Sequence, residues 1–476
     1  MSGLPADPSR RAFIRQGLLT AGAAGLGLAG LQACGGTERP PPPHPALGPL
    51  QATRDETTGL ALLMLPEGFR YRTMAWAGES MSDGFPGPGR CDGMGVVASD
   101  GQYHTLIRNH ELRGSSGPIG RPETAWDVTG GGTTTLVFNH QAERLESAYV
   151  SLNGTLNNCA GGVTPWGTWL SCEEAVLTPE LRHHGIQSRQ RHWGIEHARK
   201  SHGWVFEVDP AGVGTPRPLE AMGQFYHEAA AVDPVSGCVY MTEDSRPYAG
   251  LYRYLPEVPG QLAGGGRLQM MRVEGRAELT DSVGLFTPMP VDWVDIAEPT
   301  RGHTPGSHDA RGVVEQGMRA GGTGFRALEG CALHHDTLLF TSKDGGAANR
   351  GLVFRFDPQS AQLEAIYEAG PGEQFSGPDN IIVSPRGSLV ICEDREDSDP
   401  VGQFLAGLTP AGQLFAFCQL LPDLGGTYAG HALASTARVS EWAGACFSPD
   451  GKWLFANIFK PGLTCAITGP WVDGLI

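Results

Sequence analysis

The run "NCAGGVTPWGTWLSCEEA", Asn158 to Ala175, sets a thiol at Cys159 and, beyond a turn and a Trp-bearing segment, the adjacent carboxyls Glu173 and Glu174. A thiol and two carboxyls brought so close make either a metal site or a buried cysteine beside a solvated loop. Three further stretches carry acids at corresponding places. "HEAAAVDPVSGCVYMTED" begins at His227 and offers Glu228, "LEGCALHHDTLLFTSKD" begins at Leu328 and offers Glu329, and "PDNIIVSPRGSLVICED" begins at Pro378 and offers Asp379 and Glu393. Carboxylates that converge raise one another's pKa unless cations lie between them. Hard oxygen donors suit calcium or a trivalent ion, whereas a thiolate among them suggests iron or zinc. The donor set therefore favours a mixed cluster over a single calcium. His227 adjoins Glu228, but "HEAAA" is no HExxH zinc helix, and no GxSxG elbow occurs.

Such residues need a scaffold that returns to one place. Two more copies of the pattern, "GMGVVASDGQYHTLIRNHE" from Gly93 and "EWAGACFSPDGKWLFAN" from Glu441, bring the number to six. Each copy has a small or apolar strand, a turn built on Asp-Gly, Pro-x-Gly or Ser-Gly, a second apolar strand, and a polar ending. The copies recur at roughly 50 to 100 residues, so loops and insertions separate them. With 68 Gly and 36 Pro the chain is rich in turn formers, which favours an all-β fold. Two-stranded units that cannot bury a face alone predict a six-bladed β-propeller with loop insertions; a β-sandwich is the alternative. In a propeller, the starts of the first strands (Cys159, Glu228, Glu329, Asp379) ring one mouth of the channel. The ends of the second strands (Asn109, Glu173, Glu243, Lys343, Glu393, Asn457) lie on the same face.

The formal net charge of −16 argues against nucleic acid as a partner. An anionic substrate would need local cations, which bound metal ions supply. Ten cysteines without a CxxC pair leave no zinc ribbon or thioredoxin-like motif. At the N-terminus, Arg10 and Arg11 precede Phe13 and an apolar Gly/Ala-rich run ending in "LQAC". This resembles a twin-arginine export signal over residues 1–34, with Cys34 at a lipoprotein-like cleavage box. Residues 35–50, "TERPPPPHPALGPL" within them, read as a Pro-rich tether, and 51–476 as one propeller domain.

The blocks "NCAGGVTPWGTWLSCEE", "HGWVFEVDP", "FYHEAAAVDP", "YMTED", "LEGC", "GPDNIIVSPRGSL" and "GACFSPDGKWLFANI" resemble the PhoX-type alkaline phosphatases, exported enzymes of the six-bladed propeller class. The resemblance implies a cluster of Fe3+ and Ca2+ that hydrolyses phosphate monoesters. Cys159, Glu228 and Glu329 would then be iron ligands, and Glu173 or Glu174, Asp379 and Glu393 calcium or shared ligands. Two departures stand out: Ala327 occupies the place of an expected arginine, with Arg326 one position off, and "NIFKPG" brings Lys460 where the family usually has "NIQHPG". Arg326, Lys460 and Asn109 are the polar candidates for acting on the substrate. The implied protein is a monomer handling a small phosphorylated substrate. It would use the twin-arginine machinery and reside in the periplasm, or be held at a membrane or outside the cell through Cys34. The competing readings are a calcium-dependent esterase or lactonase-like propeller, which leaves Cys159 without a role, and a non-catalytic metal-binding propeller.

Overall fold

The computed structural model describes residues 39–114, 117–178, 193–212, 214–304, 309–395, 402–421, 427–428, 431–432 and 440–476. The export signal and Cys34 lie outside the described residues. No described helix is long and apolar enough to cross a membrane.

Six strands carry the starts of the six repeats: Cys91–Ser99, Asn158–Val163, His227–Val232, Leu328–His334, Pro378–Val383 and Trp442–Phe447. Each packs on the next, and the last returns to the first, closing a ring around a central axis. From each of these inner strands an antiparallel sheet runs outward. Their small residues follow from the crowding at the axis. A side chain on Gly162 would meet the Ala230 carbonyl oxygen at 1.8 Å, and one on Gly161 the Leu170 carbonyl oxygen at 1.9 Å.

The second strands, such as Trp169–Glu173, Val239–Glu243, Leu389–Glu393 and Leu454–Ile458, are buried at every position. Each is covered on both faces by neighbouring sheets, so its apolar residues run on without alternating. Leu62, Tyr71, Val390, Phe417 and Leu454 fill one such layer, and Phe325, Phe340, Phe354 and Tyr240 another. The Arg70–Met74 strand pairs with Leu463–Thr468, so an early segment completes the last sheet and ties the ring shut.

The all-β, propeller-like arrangement is as expected. Among the described residues the six inner strands fall in five sheets and not six, because Met289–Asp295 pairs with both Gly266–Val273 and Gln362–Glu368 and fuses two sheets into one of nine strands. The Pro-rich stretch also departs from a free tether. Arg39 exchanges backbone hydrogen bonds with Gly372 and Gln374, Pro42 accepts from the Ala416 N–H, and Leu47 is buried in the core. The folded body thus begins before Gln51.

Candidate metal centre

A β-bulge sits at the same place in five of the inner strands and one residue later in the sixth. The register shifts between Cys91 and Met94, Asn158 and Gly161, His227 and Ala230, Leu328 and Cys331, Pro378 and Ile381, and Ala443 and Cys446. A bulge leaves a residue out of the ladder and re-aims its side chain. The residues so turned are Asp92, Cys159, Glu228, Glu329 and Asp379, and with Ala443, which stays paired with Asn457, they line one cavity of about 270 Å³ at the end of the axis. A second ring comes from the residue immediately after each second strand: Glu111, Glu174, Asp244, Lys343, Asp394 and Phe459. Arg90, Arg113, Glu441 and Lys460 complete the wall.

Side chains of neighbouring sheets hold the bulges. Asn109 Nδ2 donates to the carbonyls of Cys159 and Ala160 at 3.1 and 2.7 Å. Asn457 Nδ2 donates to the Asp92 carbonyl at 2.5 Å, and Thr341 Oγ1 to that of Asp379 at 2.7 Å. Thr242 Oγ1 likewise donates to the Glu329 carbonyl. These contacts satisfy carbonyls that the bulge removes from the ladder, and they fix where the acids point.

Among the described residues, nine carboxyls and one thiol face the cavity, against four basic side chains. Three groups could each grip a cation, with one ligand atom per residue and all atoms within 4.8 Å: Cys159, Glu174 and Glu228; Glu228, Asp244 and Glu329; and Asp92, Glu111 and Glu441. Burial, reinforced by Glu329, pushes the Glu228 carboxyl up, and burial with Asp244 does the same to Glu329. Burial and Glu111 lift Asp92, while burial and Asp394 lift Glu441. Burial and Glu228 hold the Cys159 thiol protonated, donating to the His227 carbonyl at 3.0 Å. Glu329 Oε1 is buried and has no hydrogen-bond partner. Buried acids this close, with one oxygen unpartnered, suit a cation: the hard oxygens fit calcium or a trivalent ion, and the thiol among them fits iron or zinc.

Lys343 is the one base in the second ring. Its Nζ bonds Asp394 and stands 3.7 Å from Asp379. Burial opposes its charge, but Asp394, Glu329 and Asp379 outweigh that and hold the amine protonated. Burial likewise works against ionised Asp394, yet Lys343 keeps it below its ordinary value. Asp379 is pushed up to about 7 by burial, against the pull of Lys343.

Of the residues singled out from sequence, Cys159, Glu174, Glu228, Glu329, Lys343, Asp379 and Lys460 face the cavity. Glu173, Glu393, Asn109 and Arg326 do not. Glu173 accepts from the backbone N–H groups of Leu156, Gly203 and Trp204 at 2.8, 2.8 and 3.1 Å. Glu393 accepts from those of Ser376 and Phe404 at 3.0 and 2.8 Å. Both are last residues of their strands, and successive side chains point to opposite faces, so it is the following residue that enters the cavity. Asn109 is spent on the Cys159 bulge, and Arg326 donates to Asn349 Oδ1 at 2.9 Å. Sequence reasoning missed Asp92, Glu111, Asp244, Asp394, Glu441, Arg90 and Arg113. Starting the first copy at Cys91 instead of Gly93 aligns Asp92 with Cys159, and reading one residue past each second strand finds Glu111, Asp244 and Asp394.

A family model described as alkaline phosphatase PhoX matches residues 46–462. Among solved structures, Pseudomonas fluorescens PhoX in complex with vanadate, a transition state analogue, is similar at 18% identity and a TM-score of 0.61, over 88% of this chain and 98% of that one. A gluconolactonase from Xanthomonas campestris is similar at 12% identity and a TM-score of 0.43, over 91% and 98%. Regucalcin, a calcium-binding protein from Agrobacterium tumefaciens, is similar at 10% identity and a TM-score of 0.36, over 84% and 97%. The first likeness speaks to the fold, and the latter two carry no argument. No curated protein matches the sequence.

Proposed function

This chain belongs to the alkaline phosphatase PhoX family, and from that membership we propose that it is an exported, metal-dependent phosphatase acting on phosphate monoesters. Its centre would be an iron–calcium cluster at one mouth of a six-bladed propeller, the nine-stranded sheet counting as two blades. The carrying observation is the group Glu228, Asp244 and Glu329, buried acids with ligand atoms within 4.8 Å and one carboxylate oxygen left unpartnered. Like charges that close stay ionised only around a cation.

In this reading Cys159, Glu174, Glu228, Asp244 and Glu329 would hold iron, and Asp92, Glu111 and Glu441 would hold calcium. When bound, the ions supply positive charge toward phosphate oxygens and an activated oxygen nucleophile. The chain's own cations grip the substrate. No guanidinium stands at position 327, and Arg326 faces away, but Arg90 and Arg113 line the cavity beside Lys460. Arg90 lies 3.5 Å from Glu111 and packs its guanidinium over Phe459, which orients its fork at the wall. A guanidinium so held can take two phosphate oxygens at once, while Lys460 adds a point charge. The acids behind them repel any anion until cations fill the cluster, so substrate binding and metal binding are linked.

Export by the twin-arginine route, residence in the periplasm or at a membrane through Cys34, and a monomeric state complete the reading. The test is hydrolysis of p-nitrophenyl phosphate by protein exported in folded form. Activity should vanish on chelation, return with iron and calcium together, and fall at least 100-fold in Arg90→Ala. Full hydrolysis by thoroughly chelated protein would refute it.

A further inference from the structure

We propose that Lys343 is a built-in cation that takes the place of a metal ion between Asp379 and Asp394. This rests on the metal-dependent reading of the cavity given above. Position by position, the ring of residues that follow the second strands is Glu111, Glu174, Asp244, Lys343, Asp394 and Phe459. Lys343 is the one base in it, where three of its counterparts belong to cation-gripping groups.

The ammonium is seated, not dangling. Its backbone N–H donates to the Ala327 carbonyl at 2.8 Å, which anchors the stem at the strand end. Its Nζ bonds Asp394 and lies 3.7 Å from Asp379, with all three side chains largely buried. Asp379 is held in turn by Asn380 Nδ2 at 2.8 Å. A second observation agrees: Asp379 and Asp394 belong to none of the three groups whose ligand atoms lie within 4.8 Å of one another. Carboxylates drawn onto an ammonium are spaced for it and not for a common ion. A calcium about 2.4 Å from both carboxylates would stand within hydrogen-bonding distance of Nζ, and two cations cannot share that space without water between them.

The inference assigns Lys343 a role in setting metal number, and metal content is its readout. Wild type, Lys343→Gln, Lys343→Arg, Asp379→Asn and the double variant Lys343→Gln/Asp379→Asn would be exported folded, saturated with calcium, desalted and analysed for metals. Lys343→Gln should carry one more calcium per chain than wild type, and Lys343→Arg the wild-type number. Asp379→Asn alone should leave the count unchanged, because its partner is an ammonium, while the double variant should lose the calcium that Lys343→Gln gained. Equal counts in Lys343→Gln and wild type would overturn the inference and leave the metal-dependent reading standing. Loss of a metal in Asp379→Asn would also overturn it, and that arm decides even if Lys343→Gln fails to fold. A wild-type protein without any metal would bring down the metal-dependent reading and this inference with it.

Discussion

Glu329→Gln should change the sign of its effect on stability with metal content. In chelated protein at pH 9, Glu329 must either carry its charge beside Glu228 and Asp244 or take up a proton to avoid it, and both are a net liability. At an effective dielectric of about 20, unit charges 4.8 Å apart repel by about 3.5 kcal/mol. Replacing one charge with an amide of the same shape removes at least one such repulsion. Unfolding entropy is about 2 cal/mol/K per residue, so for a body of roughly 430 residues each kcal/mol is worth about 1 °C. The chelated variant should therefore melt roughly 4 °C above chelated wild type. The gain should fade as pH falls and the carboxyls protonate, since burial and Asp244 already raise Glu329. In metal-loaded protein the variant lacks a ligand, and it should melt below wild type. Calorimetry with and without chelator reads both arms. A variant that is destabilised equally in both states would mean that Glu329 is an ordinary structural acid, and the reasoning would fail.

Three other outcomes separate site from scaffold. Glu393→Ala should cost about 2 to 4 kcal/mol by stranding the buried N–H groups of Ser376 and Phe404, with metal content intact when assayed on folded protein. Asn109→Ala frees the carbonyls of Cys159 and Ala160 and should weaken metal retention about 10-fold although the Asn109 side chain does not line the cavity. His202 is bound to Glu173 at 2.7 Å and Asp127 at 3.3 Å; burial opposes its charge, but these partners raise it to about 9. A folded value above the unfolded one gives stability that is complete below about pH 6.5 and lost as pH rises through about 9, a swing of about 3 kcal/mol. Urea midpoints from pH 6 to 10 should fall accordingly, and His202→Gln should flatten that fall.

The inner-strand acids were legible because small residues needed at the axis mark each copy, so Cys159, Glu228, Glu329 and Asp379 fall at one place in the pattern. The second ring was read one or two residues early everywhere except at Lys343. Glu173 and Glu393 are the last residues paired in their strands, and nothing in a run of buried apolar residues tells which face a terminal acid takes. The bulges were invisible to alternation, since a two-residue period carries no sign of an extra residue. Ring closure by Arg70–Met74 against Leu463–Thr468 joins segments nearly 400 residues apart, and neither carries a local mark of its partner. The proline run was read by composition alone, which misses the carbonyl of Pro42 accepting from Ala416 and Leu47 entering the core.

The most direct test is elemental analysis of Cys159→Ala beside wild type, both exported folded and freed of loosely bound ions. Wild type should retain iron and calcium together, and loss of the one sulfur that faces the cavity among the described residues should lower iron at least 10-fold while the fold, by circular dichroism, stays unchanged. Equal iron in the two proteins, or none in either, would contradict a metal centre built on Cys159.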